Sequence, residues 1–299
     1  MSATRPTTLG IPSGVKTEIH TPECWIEPLA AYLTWMRGIR RAEGTIYQHS
    51  YHLRRFAVST GLAPWPVTVE QLVAYQASLN ATHGKSALRT VRQVLRGFYA
   101  WGVIVGRWTD NPAARIPSIA APRGIARPAP EHSVKIGLKA PDPRTRLMIL
   151  LAVRLGMRCR EIALARPSDL QSDLLGMSML VRGKGDRQRL VPVTSEVVGE
   201  IHAYAQENGI GENDHLFEGR IDGHLSAARV SELISEALPP SVTAHMLRHR
   251  YGTRAFHLGG KDLRAVQELL GHAYSTTTEI YVQVDDDSVR RAALAAAAS

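Results

Sequence analysis

Apolar residues recur every three or four positions through the first third of the chain, which is the period of an amphipathic helix. On the first such segment, the predicted inner face consists of Ile26, Leu29, Ala30, Leu33, Met36 and Ile39. Successive amphipathic helices bury their apolar faces by packing as a bundle, here of four or five helices. The predicted helices are 25–40, 45–60, one that begins at Thr68 with Glu70 and Gln71 in its first turn, and 86–105.

The second half of the chain combines helical spacing with two short runs of β-forming residues, 177–181 and 189–193. The turn Gly183-Lys184-Gly185-Asp186 lies between these runs, and it predicts an antiparallel hairpin. The predicted fold class is therefore mainly α, with a small antiparallel β-sheet in the second domain. Further helices are predicted at about 144–155, 195–207, 226–238, 244–257, 262–270 and 275–283, and the last residues, 288–298, are Ala-rich and favour a helix.

Prolines separate the two halves. They remove N–H donors and bias the chain toward extended forms at Pro112, Pro117, Pro122, Pro128 and Pro130. The sequence therefore predicts a flexible N-terminus (1–20), a helical domain (21–111), an interdomain linker (112–130) and a second domain (131–299).

The charge balance indicates a polyanionic partner. The chain of 299 residues has a formal net charge of +9, and 30 of its 36 basic residues are Arg, the side chain that binds phosphate in a bidentate manner. Cys24 and Cys159 are too few and too far apart for a disulfide framework, and no apolar run has the length of a membrane span. These features predict a cytoplasmic protein that binds nucleic acid, with no membrane partner.

Chemically active residues concentrate near the C-terminal end. The motifs are His245-Met246-Leu247-Arg248-His249, then Leu270-Gly271-His272, then Tyr281 nine residues later. A zinc site built on His245 and His249 is disfavoured, because no Glu of the His-Glu-x-x-His type lies between them and no third ligand follows. The stretch therefore offers a nucleophile, a cation and proton carriers, and it predicts neither a metal nor a cofactor.

These motifs resemble the C-terminal boxes of the tyrosine recombinases, also called phage integrases. Two upstream boxes strengthen the resemblance: Leu155-Gly156-Met157-Arg158-Cys159-Arg160-Glu161-Ile162, and Gly183-Lys184-Gly185-Asp186-Arg187-Gln188-Arg189-Leu190-Val191-Pro192. The resemblance implies an N-terminal core-binding domain and a C-terminal catalytic domain that cuts and rejoins duplex DNA. Four boxes in one order are far more specific than any one alone.

The resemblance also implies a role for each site residue. Tyr281 would attack the scissile phosphate and form a 3′-phosphotyrosyl intermediate, which preserves the phosphodiester energy without ATP or a metal. Arg158 and Arg248 would hold the non-bridging oxygens, and Lys184 would protonate the leaving 5′-oxygen. His245 and His272 would carry protons or donate hydrogen bonds, while Glu161 and His249 would support the site from behind.

The expected DNA-binding residues lie mainly on two basic helix faces of the first domain, where the alternative is a solvated surface. The assigned set is Tyr47, His49, Arg54, Arg55, Lys85, Arg89, Arg92 and Arg96, together with Arg123 and Arg127 of the linker and Arg187 of the hairpin. The implied partners are duplex DNA carrying attachment or core-type sites, a homo-tetramer assembled on that DNA, and a host bending protein or directionality factor.

Several functions remain open at this level. Integration and excision of a phage or mobile element is the first, and a chromosome-dimer resolvase or transposon recombinase has the same two-domain plan, since residues 1–20 leave no room for an arm-binding domain. A DNA-relaxing topoisomerase is a mechanistic relative, and a non-catalytic DNA clamp is the alternative from another class. The Ala-rich end, residues 292–299, is expected to dock on a neighbouring protomer or to act as a degradation signal.

Overall fold

A computed structural model describes residues 19–120, 127–174, 176–183, 187–220 and 222–271. The chain divides between residues 123 and 124 into two compact units. The boundary falls inside the predicted linker. Among the described residues the structure is mainly helical, with one small antiparallel sheet, as predicted.

The first unit is a helical bundle. Its core is built around large aromatic rings, including Trp25, Tyr32, Phe56 and Phe98, all of them buried. At the start of α3 (Val69–Ser78), the Gln71 N–H donates to Thr68 Oγ1 over 3.3 Å and the Thr68 N–H donates to Gln71 Oε1 over 2.9 Å, which closes a capping box. The elements are α1 (Glu23–Gly38), α2 (Glu43–Thr60), α3 (Val69–Ser78), α4 (Lys85–Ile104) and a 3-10 turn (Pro112–Arg115).

The inner face of α1 differs from the predicted one. Ile26 and Ile39 are 57% and 44% exposed and Ala30 is exposed as well, so these three assignments were wrong. The buried stripe is Trp25, Leu29, Tyr32 and Met36. These four positions have a helical spacing of their own, and the aromatic rings decide the face because each buries far more apolar area than an isoleucine.

The predicted linker begins later than residue 112. Ala113 and Ile116 are buried in the core of the first unit. The guanidinium of Arg92 holds this stretch through two hydrogen bonds to the Ile116 carbonyl, 3.0 Å from Nε and 2.8 Å from Nη2. The prolines therefore do not make this stretch extended: Pro112 starts a 3-10 turn, where its missing N–H costs nothing.

The first unit should lose stability in mild acid. His49 is buried and hydrogen-bonded to the Tyr32 hydroxyl over 2.9 Å, and burial, with the charges of His52 and Arg41, lowers the pKa of His49 from 6.5 to about 4. A depressed histidine pKa contributes stability above pH 6.5, and that contribution is lost as the pH falls toward the folded value. We expect the free energy of unfolding to drop by about 3 kcal/mol across this range.

Tryptophan fluorescence would measure this loss selectively, because all five tryptophans of the chain lie between residues 25 and 108. His49→Gln is the comparison, since glutamine keeps a polar group opposite Tyr32 but does not titrate. If acid lowers the free energy of unfolding equally in wild type and variant, protonation of His49 is not the cause of the loss. His52, whose pKa is lowered by burial and by the charges of Arg55 and His83, also contributes to the pH dependence of both proteins.

The second unit is organised around α6 (Pro143–Leu155), which is buried on nearly all sides. Helices α8 (Ser195–Glu207), α9 (Ala227–Glu236) and α10 (Ala244–Leu258) pack against it, and β3 (Gln188–Val193) contacts it from the sheet. Three elements were not predicted because they are too short to show a period: α5 (Glu131–Gly137), α7 (Cys159–Ala163) and β1 (Leu170–Asp173). The elements are α5 (Glu131–Gly137), α6 (Pro143–Leu155), α7 (Cys159–Ala163), a 3-10 turn (Pro167–Asp169), β1 (Leu170–Asp173), β2 (Gly176–Arg182), β3 (Gln188–Val193), α8 (Ser195–Glu207), α9 (Ala227–Glu236), α10 (Ala244–Leu258) and α11 (Leu263–Leu270).

The sheet has the order β1-β2-β3 and is antiparallel throughout. Val181 of β2 pairs with Arg189 of β3, and Arg182 pairs with Gln188, so Arg189 and Arg182 lie on opposite faces of the hairpin. Pro192 stands in β3 opposite Ser178. Within the described part of the chain both β1 and β3 are edge strands.

Two predicted helices, 275–283 and 288–298, lie outside the described residues, as do residues 184–186 of the hairpin turn and the predicted flexible stretch up to residue 18. In the part of the chain that the structure describes, every helix is too short or too polar to traverse a lipid bilayer.

Candidate active site

The site begins at a sharp turn between α6 and α7. Gly156 ends α6 with φ +62°, a left-handed conformation that favours glycine. A Cβ at this position would also collide with the ring of Tyr251 from α10. This turn therefore requires glycine, and it places Arg158 at the N-cap of α7.

Glu161 is the centre of the site. Its side chain is almost fully buried, and both carboxylate oxygens accept hydrogen bonds from two arginines. Arg158 donates from Nη1 to Oε1 over 2.7 Å and from its backbone N–H to Oε2 over 2.8 Å. Arg189 donates from Nη1 to Oε1 over 2.9 Å and from Nη2 to Oε2 over 2.8 Å, and Arg248 Nη1 lies 3.7 Å from Oε2.

The same three arginines hold the C-terminal end of α11. Arg189 Nε donates to the Leu269 carbonyl over 2.8 Å, and Arg158 Nη2 lies 3.4 Å from the Gly271 carbonyl. Arg248 donates to the carbonyls of Leu270 and Gly156. Three consecutive carbonyls at a helix C-terminus are thus satisfied by three guanidinium groups, which also complement the negative end of the helix dipole.

The charge of Glu161 persists in spite of its burial. Burial acts to raise the pKa of this carboxyl, but the hydrogen bonds and charge of Arg189, the backbone N–H of Arg158 and the charge of Arg248 outweigh it and lower the pKa below its ordinary value. One carboxylate therefore faces three guanidinium groups, and the cluster keeps an excess of positive charge. Arg158 is its accessible member, with a side chain 42% exposed, whereas that of Arg248 is 3% exposed.

His245 and His249 lie one turn apart on α10, with ring centroids 4.2 Å apart in an edge-to-face arrangement. Partial burial of the ring, with the charges of Arg248 and Arg158, lowers the pKa of His245. Burial, with the charges of His245 and Arg248, lowers the pKa of His249 to about 4. Both imidazoles are therefore neutral at pH 7, and a neutral imidazole can accept a proton.

The structure brings together five of the eight predicted catalytic and supporting residues: Arg158, Glu161, His245, Arg248 and His249. The predictions for Lys184, His272 and Tyr281 lie outside the described residues. Gly183 and Arg187 flank the turn, and the Gly183 N–H donates to the Arg187 carbonyl over 2.7 Å. The Arg187 side chain is exposed.

Arg189 was missed as a site residue. From the sequence, Arg189 was recognised only as a member of the hairpin box, with no role of its own. Its burial depends on Glu161 and Leu269, which are 28 and 80 residues away along the chain. Because both partners are distant in the sequence, no pattern among the neighbouring residues indicates that this basic residue is buried.

The predicted DNA-binding residues of the first unit divide into two groups. The exposed group is Tyr47, Arg54, Lys85 and Arg89, with Arg55 half-buried beside the Tyr51 hydroxyl at 3.1 Å. The other group is tied to the protein itself: His49 is buried, which corrects its assignment to a DNA-facing surface, and Arg92 and Arg96 donate to the carbonyls of Ile116 and Ala114. In the predicted linker, Arg127 is exposed and Arg123 lies outside the described residues.

Comparisons with known proteins agree with the geometry. A model of the phage integrase family matches residues 132–288. Tyrosine recombinase XerC of Xanthomonas axonopodis pv. citri (strain 306) is 30% identical over 285 residues, which cover 89% of this chain and 87% of the relative. Tyrosine recombinase XerC of Xylella fastidiosa (strain 9a5c) is 36% identical over 280 residues, which cover 89% of this chain and 86% of the relative.

Among solved structures, XerH site-specific recombinase bound to palindromic difH substrate, in a post-cleavage complex, has a TM-score of 0.68. It is 19% identical and covers 83% of this chain and 78% of that chain, so the likeness concerns the fold. The family match and the XerC relatives decide the class. This chain belongs to the phage integrase family. It is a tyrosine recombinase, as the resemblance in its motifs indicated.

Proposed function

We propose that this enzyme cleaves duplex DNA at a specific site through Tyr281 and rejoins it to a second duplex. The observation that carries the proposal is the arginine cluster around Glu161, in which three guanidinium groups face one carboxylate. Its accessible member, Arg158, is at the surface beside a neutral histidine. Such a site favours a phosphodiester group, whose negative charge increases as it is attacked.

In the proposed cleavage step one bond forms and one bond breaks. The Tyr281 oxygen forms a bond to phosphorus, the bond from phosphorus to the 5′-oxygen breaks, and the DNA keeps a 3′-phosphotyrosyl linkage. The phenol proton passes to a neutral imidazole, a role assigned to His245, whose lowered pKa keeps the ring unprotonated at pH 7. Lys184 supplies the proton to the leaving 5′-oxygen, and His272 donates to the phosphate. Rejoining runs the same steps in reverse with a new 5′-hydroxyl.

Arg158→Ala should slow covalent cleavage by about 10³-fold, because it removes the accessible donor that stabilises the charged transition state. Single-turnover cleavage of a nicked duplex at saturating protein would measure this. Arg160→Ala is the matched control, since it removes the same charge from an exposed position two residues away. Equal loss in both variants would mean that only net charge matters, and would contradict a specific phosphate contact for Arg158.

The test of the proposed chemistry is a covalent adduct between the wild-type chain and DNA. The recognition site is first located by sequencing DNA that co-purifies with the protein. A duplex nicked next to the scissile phosphate then releases a short strand, so the adduct accumulates. An adduct that resists detergent and contains phosphotyrosine supports the proposal. Tight, site-specific binding with no adduct would leave the non-catalytic clamp.

Between the two recombination roles, we favour the resolution of joined chromosomal copies over integration of a phage or mobile element. The support comes from the relatives, because proteins named XerC match 89% of this chain. A plasmid with two direct copies of one site should lose the segment between them. A requirement for two different sites would favour integration.

The partners follow from the same proposal. Exposed basic residues of the first unit, Arg54, Lys85 and Arg89, would contact the DNA backbone. Strand exchange between two duplexes requires four cleavages, and thus a tetramer on DNA. One solved structure of related fold is a lambda integrase tetramer bound to a Holliday junction. A host bending protein or directionality factor remains a proposed accessory partner, and the predicted location is the bacterial cytoplasm, at the nucleoid.

A further inference from the structure

Arg189 has no part in the proposed chemistry, although it makes three hydrogen bonds within the site, as many as Arg158. Its side chain is 10% exposed, against 42% for Arg158. Its three donor nitrogens bind Glu161 Oε1, Glu161 Oε2 and the Leu269 carbonyl, all within 2.9 Å. Because all three donor nitrogens of Arg189 already have acceptors inside the protein, its role is sought within the site and not at the DNA phosphate.

The position of Arg189 connects three of the four sequence boxes. It stands in β3, on the strand that follows the Lys184 turn. It reaches Glu161 of the Arg158 box and the end of α11, immediately before Gly271 and His272. Gly271 turns away with φ +60°, and a Cβ at that position would lie 3.2 Å from Cδ and Nη1 of Arg189, so the glycine leaves room for the side chain.

We propose that Arg189 is a positioning residue that fixes the carboxylate of Glu161 and the C-terminal end of α11 to strand β3, so that Arg158 meets the phosphate in a single orientation. This inference rests on the proposed function and deepens it. The planar fork of arginine is needed, because it spans both carboxylate oxygens while its Nε faces a third acceptor. A lysine has one nitrogen and cannot hold all three acceptors in this geometry.

The hairpin offers a matched control for the test. Arg182, on the opposite face of the hairpin, forms an ion pair with the buried carboxylate of Asp169. Arg182→Ala and Arg189→Ala therefore each remove one arginine from a buried carboxylate beside the same turn. Only Arg189 contacts Glu161 and α11, so only its loss should disturb the orientation of Arg158.

The experiment is single-turnover cleavage of a nicked duplex by the full chain, with DNA affinity measured separately. Arg189→Ala should bind DNA with the wild-type dissociation constant and cleave it about 100-fold more slowly at saturation, the effect expected when catalytic groups are displaced by about 1 Å. Arg189→Lys should recover part of that rate. Arg182→Ala should cleave at a rate close to that of wild type.

A pH profile separates positioning from general loss of structure. Burial acts to raise the pKa of Glu161, and the hydrogen bonds of Arg189 are the strongest of the interactions that lower it; the other charges facing Glu161 are Arg158 and Arg248. Without Arg189, Glu161 should become protonated at higher pH and release Arg158. The acidic limb of the cleavage rate should therefore move to higher pH in Arg189→Ala.

Equal rate losses in Arg189→Ala and Arg182→Ala, with an unmoved acidic limb, would overturn the inference, because they would show that Arg189 only stabilises the hairpin. Wild-type cleavage rates in Arg189→Ala would overturn it as well. Failure of the proposed function looks different: the wild-type chain itself would bind the site and form no covalent adduct.

Discussion

Tyr281→Phe should form no covalent adduct with DNA and should bind the recognition site with the affinity of the wild-type chain. Phenylalanine keeps the aromatic ring and loses the one oxygen that can attack phosphorus, so the loss of cleavage is complete rather than partial. The variant keeps the arginine cluster that is proposed to contact the phosphodiester, so DNA binding should persist. Detergent-resistant adducts and a gel-shift titration measure the two properties separately.

Tyr251→Phe is the matched control for this experiment. Tyr251 is largely buried against Gly156, and burial raises the pKa of its phenol. Phenylalanine keeps the ring that packs there, so this variant should still form the adduct. An adduct that survives in Tyr281→Phe and disappears in Tyr251→Phe would refute the assignment of the nucleophile, and would place it on α10.

Glu161→Gln should lower the free energy of unfolding of the second unit by about 3–5 kcal/mol, the usual effect of removing one partner from a buried ion pair. Glutamine has nearly the same shape, but it removes the negative charge that faces the buried Arg189 and offers one acceptor oxygen in place of two. Cleavage should fall as well, because Arg158 loses the carboxylate that orients it. Urea unfolding followed by far-ultraviolet circular dichroism gives the stability.

Glu131→Gln tests whether burial is the cause. Glu131 accepts two hydrogen bonds of 2.8 Å from Arg250, a geometry as good as that around Glu161, but its side chain is 59% exposed. An exposed ion pair contributes about 0–1 kcal/mol, so this variant should be nearly as stable as wild type. Comparable losses in the two variants would contradict the explanation based on desolvation. Tryptophan fluorescence should show the first unit unchanged in both.

Acid should reproduce the effect of Glu161→Gln in the wild-type chain. The pKa of Glu161 in the folded protein lies below its ordinary value of 4.5, because Arg189, Arg158 and Arg248 together outweigh burial. The carboxylate therefore contributes stability above pH 4.5, and this contribution disappears as the pH falls through the folded pKa. The variant lacks this titration, so the two stability curves should converge in acid.

Much of the fold could be predicted because the long helices carry a repeated local signal. The predicted helix at 195–207 coincides with α8. Thr68 caps α3 through a capping box with Gln71, three residues later in the sequence. The short helices α5 and α7, of seven and five residues, and the four-residue strand β1 contain too few positions to show a period. They form because tertiary contacts stabilise them.

The site was predictable to the extent that its motifs are contiguous. Arg158 and Arg248 lie in short boxes, and the structure brings both to Glu161. Arg189 and His49 could not be assigned from the sequence, because each is defined by a partner far along the chain: Glu161 and Leu269 for Arg189, Tyr32 for His49. Polarity alone suggested a surface location for both, and burial with a specific partner decided otherwise.

The edges of the small sheet also affect how molecules of this protein behave toward one another. β1 has only four residues, and a strand added beside β3 would encounter Pro192, whose nitrogen carries no hydrogen. Short edge strands and prolines at an edge both prevent the intermolecular strand pairing that leads to aggregation. Chains concentrated side by side on DNA would therefore associate through surfaces other than these strand edges.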